Sequence, residues 1–567
     1  MKLLPKLLPD EEEEDRRLDQ REPEAPEAET EPSRLHWSFT AALAVTAAIP
    51  RLLYLFVFSD PENPGPYGDV WHHWQIAYLT KEIGLSAPGG PRLWDLKGLE
   101  YIWGVLHPLL MVAVFDVTGS IDIVLTRLVS LLFGVVAVVL LFHLARRYWG
   151  TQVAIGAALF AILLPTSVVN DASGMVEPLG VALCLLGIWA WARRQGVLAG
   201  LVWGLATMAR AEAWIFGIGL VIAGLLRPVR QRVPMVVAFA AVVLIYMKVL
   251  LDQTGNPIYP LWWNFFATAL GKWQPAAISA SQASMRPALG VLLVAGVTGL
   301  AWSLWKRPPS YMLLTFGFGY WVFIAGMFGF TAFLSTWVWW LPISRRFEFP
   351  VLFAAVLVVV VALSWAPRRF GGVAIPVGWV AVVATLVASQ ALWIPIETVF
   401  APTEATWQQT LVESRQLGDW YHEAPYAGHA LAVPADRPDV TYGLARFGGV
   451  EGKHLVSEMY DPFSYLPSGY TFADNQATVS TLVACWLGDT DIRVIAFRND
   501  NDNYGQLVLY NPSWFVQLGT LNAAGWTVVG VNAPHPSTAD CKAARGRSLT
   551  NTRGRTVHGL VSICLRR

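Results

Sequence analysis

The chain has 567 residues, of which 54% are hydrophobic and only 14% charged, and it contains 27 Trp. A soluble protein usually carries about 25% charged residues, so the clustered apolar runs here exclude a water-soluble chain and indicate a polytopic membrane protein. The formal net charge is zero, so nothing points to a nucleic-acid partner.

In chain order, residues 1–36 read as an acidic cytoplasmic tail, disordered where Glu, Pro and Ala dominate and large apolar residues are missing. The run from Trp37 to Phe58 is too long and too far from the start for a signal peptide, and reads as an uncleaved anchor. The first outer loop, 59–121, follows. It carries Tyr67-Gly68-Asp69-Val70-Trp71-His72-His73-Trp74, then Trp94-Asp95 and His107-Pro108. A helix beginning near Asp69 puts His72 and His73 one turn from the carboxylate. Such a carboxylate can take a proton from an acceptor hydroxyl, bind an acceptor amide, or hold a divalent ion (Mg or Mn) against a phosphate leaving group. The plainer reading is a helix cap.

Further apolar runs fall at 122–144, 152–165, 176–192, 197–209, 213–226, 234–251, 288–305, 310–330, 350–366 and 371–396. The run 101–117 is ambiguous, and loop charge decides it. If it stays on the surface, Arg146-Arg147, Arg193-Arg194, Arg227 with Arg230 and Arg232, Lys306-Arg307 and Arg368-Arg369 all fall on the cytoplasmic side. The expected architecture is therefore a polytopic α-helical domain over 37–397 with eleven crossings, N-in and C-out, and an interfacial helix at 101–117. Asp69 and the turn at 165–178 then share the outer compartment with the loops 252–287 and 331–349 and with everything after 398. Nucleotide donors are absent there, and neither a P-loop nor a GxGxxG fingerprint occurs in the cytoplasmic segments.

Three further groups are candidates for chemistry. Asn170-Asp171 and Glu177 lie in the turn at 165–178, and a carboxylate at that depth needs a cavity or a partner. Helix-dipole stabilisation is the alternative for Glu177. Arg345-Arg346 lie outside, against the positive-inside trend, where a lipid phosphate suits an arginine fork; pairing with Glu348 or snorkelling is the alternative. Arg210-Ala211-Glu212 separates two short apolar runs, as in a broken helix beside a polar cavity or a local ion pair. Pro257–Trp263 reads as an aromatic interfacial belt, the alternative being the lining of a sugar or polyprenyl groove.

Residues 398–567 change character. Strand-like runs at 492–497, 506–510, 526–531 and 560–563, with turn clusters between them, indicate a soluble α/β or α+β domain. Four Cys without a CxxC exclude a Cys-rich zinc site. Cys184 reads as a core residue. Cys485, Cys541 and Cys564 allow one disulfide if this domain is extracytoplasmic.

These residues resemble the GT-C superfamily of membrane glycosyltransferases, over roughly residues 37–400. The local wording looks most like the oligosaccharyltransferase catalytic subunit: Asp69 with Trp71, Gly84, Trp94-Asp95, Tyr101…Gly104…His107-Pro108, and a second acidic motif at Ser173-Gly174-Met175-Val176-Glu177. The resemblance implies a polyprenyl-phosphate-linked sugar donor and an extracytoplasmic acceptor (protein, polysaccharide or lipid). It implies that Asp69 is the catalytic carboxylate and that Glu177, with Asp171, assists it or binds a metal. Arg345 or Arg346, with Arg210, would hold the donor phosphate, and Tyr67, His72, His73 and Trp94 would meet substrate. Two features depart from the pattern. No Trp-Trp-Asp motif occurs after 398, and the Pro-Pro-Leu element of the protein mannosyltransferase-like members is reduced to His107-Pro108-Leu109.

The expected function is a multi-pass cell-membrane glycosyltransferase. A transporter or flippase of lipid-linked glycans would show repeats between the two halves, and none is evident. A non-catalytic glycan-binding membrane protein would leave Asp69, His72 and His73 without a shared cavity.

Overall fold

The computed structural model describes residues 34–63, 68–84, 99–149, 151–211, 213–214, 217–218, 220–221, 229–262, 379–380, 382–384, 387, 404–423, 427–433, 437–456, 476–489, 491–498, 503–521, 525–545, 549–550 and 556–557. Tyr67, Trp94, Asp95, Glu212, Arg345, Arg346 and Cys564 lie outside the described residues, as do the runs expected at 288–305, 310–330 and 350–366, nearly all of 371–396, and the strand at 560–563.

The elements are α1 (Arg34–Leu53), α2 (Gly68–Ile83), α3 (Leu99–Trp103), α4 (Leu106–Thr118), α5 (Ile123–Trp149), α6 (Thr151–Leu163), α7 (Pro165–Ser173), α8 (Glu177–Ala192), α9 (Gly196–Ala209) and α10 (Val229–Thr254). They continue with α11 (Glu404–Glu423), β1 (Ala430–Ala432), α12 (Pro438–Arg446), β2 (Leu455–Val456), α13 (Gln476–Asp489), β3 (Ile492–Arg498), α14 (Asn503–Tyr510), β4 (Phe515–Leu521), β5 (Trp526–Val531) and α15 (Thr538–Arg545). They fall into two compact units. One comprises Met1–Asp60, Arg127–Val243 and Ile278–Val399; the other comprises Pro61–Thr126, Leu244–Ala277 and Phe400–Arg567.

Among the described residues, three helical stretches are long and apolar enough to cross a membrane: Trp37–Phe58, Ile123–Arg147 and Arg230–Thr254. A fourth is available if the bent pair α6–α7 is one span; its two arms meet at 53°. Pro165 opens α7, and it holds Leu164 extended at φ −64, ψ 118. The expected turn at 165–178 is thus mostly a short buried helix. The runs expected as the fourth and fifth crossings are helices of 16 and 14 residues, shorter than the roughly 20 residues of a straight span.

The first unit packs by close approach. Gly196, Gly200 and Gly204 form a stripe on α9, one residue per turn, laid against α10. A Cβ on Gly200 would come within 2.2 Å of the Met235 carbonyl oxygen, so only glycine permits this contact.

In the second unit, five strands form one sheet in the order β2-β1-β3-β5-β4. The β2-β1-β3 strands are parallel, and β5 and β4 are antiparallel to their neighbours. Alternating residues face opposite layers, as the two-residue strand period requires. Ala430, Ala432, Ile495 and Phe497 pack with Leu482, Leu487 and Leu507 of α13 and α14. Leu431, Val433, Val494 and Ala496 pack with Leu417, Tyr421, Val440 and Leu444 of α11 and α12. A disulfide joins Cys485 on α13 to Cys541 on α15. The expected strand at 506–510 is instead the helix α14. Tyr504 and Leu507 are buried one turn apart, with Val508 packed beside them on the same core, and this is the i, i+3, i+4 spacing of a helix face.

Helix α2 belongs to this unit and is fastened to the sheet domain by aromatic rings. Trp71 stacks on Trp407 of α11 at 5.0 Å and packs on Tyr442 of α12 at 5.1 Å. Trp74 meets the edge of Tyr442 at 4.8 Å, and its indole N–H donates to the Ile121 carbonyl at 2.6 Å. Arg446 pairs with Asp122 at 3.7 Å, and the Asp122 carboxylate accepts the Val124 N–H at 2.9 Å, capping α5. The segment Pro61–Thr126 and the C-terminal sheet domain therefore belong to one compact unit.

Candidate functional site

Asp69 stands in the first turn of α2, half-buried, where the helix dipole favours a carboxylate. The rest of α2 is held rigidly. Val70, Trp71 and Trp74 are buried, and their packing fixes the helix that carries Asp69.

One and two residues past Trp71 come the two histidines. His73 is buried; its ring lies edge-on to Trp103 of α3 at 4.7 Å and 5.9 Å from the ring of His107 on α4. His72 is half-buried and packs on the other side of Trp103 at 6.0 Å. Burial pushes the His107 pKa down to about 4, so this imidazole is neutral at physiological pH. Burial, reinforced by Glu82, pushes the Tyr78 hydroxyl up to about 12. It raises Tyr442 as well, with help from Asp122. These phenols are packing groups, not acids or bases at neutral pH.

Helix α4 has 13 residues, about 20 Å of rise, well short of a bilayer core of about 30 Å. His107, Pro108, Met111 and Phe115 are buried along one side, while Leu109 and Val117 are exposed on the other. Lys81 of α2 pairs with Asp116 of α4 at 2.7 Å.

The remaining candidates belong to the first unit. Asp171 is 1% exposed and is held by Arg51 of α1, whose Nε donates to Oδ2 at 2.6 Å. Arg51 also donates to the carbonyls of Ala47 and Ala161. A Cβ on Gly134 would collide with the Asp171 carboxyl at 2.1 Å, so α5 presses on the pair from behind. Arg127 of α5 donates to Ala172 O, Asp60 O and the Ser59 hydroxyl, and Ser130 donates to Met175 O. These contacts fix the turn that leads into Glu177. Glu177 opens α8, 5% exposed, and pairs with Arg210 at 3.2 Å. Arg210 sits in an extended break after α9, at φ −152, ψ 145, with its stem against Gly180. The arginine of this segment meets the second acidic motif.

Sequence reading singled out Asp171, Glu177 and Arg210 but missed Arg51 and Arg127. The signal was available, since a charge inside an apolar span demands a partner. Asp171 was also weighed as a metal ligand with Asp69 and Glu177. Its carboxylate is engaged by Arg51, and among the described residues no three His, Cys, Asp or Glu side chains are grouped to hold an ion.

Residues 104–251 match the family of dolichyl-phosphate-mannose-protein mannosyltransferases. Among solved structures, the chain is similar to the archaeal oligosaccharyltransferase AglB from Archaeoglobus fulgidus, solved with an inhibitory peptide and a dolichol-phosphate. The identity is 13%, 93% of this chain and 74% of that one are covered, and the TM-score is 0.51. It is also similar to ArnT from Cupriavidus metallidurans bound to undecaprenyl phosphate, at 14% identity over 87% of this chain and 98% of that one, with a TM-score of 0.48. No curated protein matches the chain.

Proposed function

We propose that the chain is a GT-C-type membrane glycosyltransferase that transfers a sugar from a polyprenyl-phosphate carrier to an acceptor outside the cytoplasm. One observation carries the reading. Asp69 begins a helix that is clamped, through Trp71 and Trp74, onto the domain bearing the Cys485–Cys541 disulfide. Disulfides persist in oxidising, extracytoplasmic compartments. That placement supports the same side of the membrane as the loop charges do. Lipid-linked sugars are available there and nucleotide sugars are not.

In the proposed reaction, the acceptor nucleophile bonds to the anomeric carbon as the bond from that carbon to the phosphate oxygen breaks. Asp69 takes the acceptor proton, and the lipid phosphate leaves as an anion. Arg345, Arg346 and Arg210 are its proposed counter-charges. Glu177, now held by Arg210, assists the carboxylate, and His72, His73, Tyr67 and Trp94 orient substrate. A magnesium or manganese ion would supply charge stabilisation at the phosphate, with Asp69 as a ligand.

The test is transfer from extracted lipid-linked donors by purified D69A and D69N proteins. Both should insert and fold as wild type and lose at least about a hundredfold in kcat. Wild-type rates in both would refute the assignment.

A further inference from the structure

His107 is the buried titratable group that the proposed transfer does not use. It lies in the first turn of α4, 1% exposed, and neither ring nitrogen has a hydrogen-bond partner among the described residues. Leaving a buried polar atom unpartnered costs about 1–3 kcal/mol, so a phenylalanine would fill this space more stably. What a histidine adds is the capacity to bond another ring, and the neighbouring ring is His73, with centroids 5.9 Å apart and planes at 61°. Two imidazoles joined by a linear N–H···N bond of about 2.9 Å would have centroids about 5.2 Å apart once both ring radii are added. The observed centroid separation is within about 1 Å of what such a bond requires. Trp103 limits His73 from the other side. Gly104, at φ +103, makes the reversal between α3 and α4 that brings Trp103 and His107 to the same ring, a backbone conformation that favours glycine.

We propose that His107 is a positioning residue that accepts the His73 N–H across this gap and so selects the tautomer and ring plane His73 presents to substrate. Which nitrogen of a histidine faces its ligand is set by the bond the other nitrogen makes. The inference rests on the reading of His73 as a substrate-binding residue.

The experiment uses the full-length protein in detergent, labelled with 13C at the histidine rings, with the His73 signals assigned by H73Q. Wild type and H107Q, whose amide oxygen also accepts a hydrogen bond, should show one His73 tautomer; H107F should show a mixture. The same pattern in all three overturns the proposal whether or not the protein transfers sugar. With extracted lipid-linked sugars, H107F should lower kcat about tenfold while the donor KM stays within about twofold, and H107Q should recover most of the loss. Wild-type kcat in H107F also overturns it. A wild-type protein inert towards every donor overturns the transfer reading instead, and leaves the tautomer result to decide His107.

Discussion

The turn before α8 in the first unit and helix α2 in the second are held by different means. In the first, the buried arginines described are compensated in place: Arg51 by Asp171 and two carbonyls, Arg127 by two carbonyls and a serine, Arg210 by Glu177. In the second, helix α2 is positioned by tryptophan and tyrosine rings, and His107 lies buried with neither nitrogen bonded among the described residues. Charge therefore holds the acidic turn, whereas shape holds the Asp69 helix. A group held by charge is already committed to its partner.

The sharpest way to break this contrast is at Arg51. R51L strands the Asp171 carboxylate in an apolar core and should cost up to about 5 kcal/mol, because removing one member of a buried pair leaves an uncompensated charge. The double variant R51L/D171L should recover more than half of that loss, as buried ion pairs are often replaceable by apolar residues. Melting of detergent-purified protein reads both. An R51L protein that melts with wild type would mean the pair is not what fixes the turn. Next in size is the disulfide, which closes a loop across a sequence separation of 56 residues. Under the chain-entropy model such a cross-link is worth about 4 kcal/mol. C485S should lower the Tm of the C-terminal domain accordingly and leave the Arg51 pair untouched. A reductant should do the same to wild type and nothing further to C485S.

What sequence could and could not foretell follows the same divide. Local pattern was readable. The helix starting at Asp69, the short apolar helix carrying His107, the first span and the strands at 492–498 and 526–531 all follow from apolar spacing and turn residues within a few positions. The run 506–510 misled because three apolar residues in five fit either period. Only Tyr504, one turn upstream and buried against Phe497, tips it to a helix. Long-range pairing was not readable. Arg51 meets Asp171 across 120 positions, and Trp71 meets Trp407 and Tyr442 across more than three hundred. Hydropathy marks each of these residues as needing a partner but does not name it. The candidate carboxylates were visible because their residue types are unusual where they occur. Their commitments were not, since an ion pair depends on which helices become neighbours.

The smallest expected effect concerns pH, and it tests the contrast at His107. His107 titrates near 6.5 in the unfolded chain and at about 4 when folded, with burial the cause of the shift. Between those values the unfolded state binds more protons, so stability rises with pH across the interval. The full contribution is present above about 6.5, declines as pH falls, and levels off below about 4, with a total span of roughly 3 kcal/mol at most. In H107F this component of the acid limb disappears, so the variant's advantage in Tm over wild type should widen from pH 7 to pH 4. Carboxylates elsewhere also titrate in this range and destabilise both proteins on acidification, which is why the difference between the two is the quantity to follow. R51L is the counter-control. Its loss should instead shrink on acidification, because protonating the stranded Asp171 removes the buried charge. Opposite slopes from the two variants would separate shape-held from charge-held burial in a single pH series, and parallel slopes would show that His107 and the Arg51–Asp171 pair are buried alike.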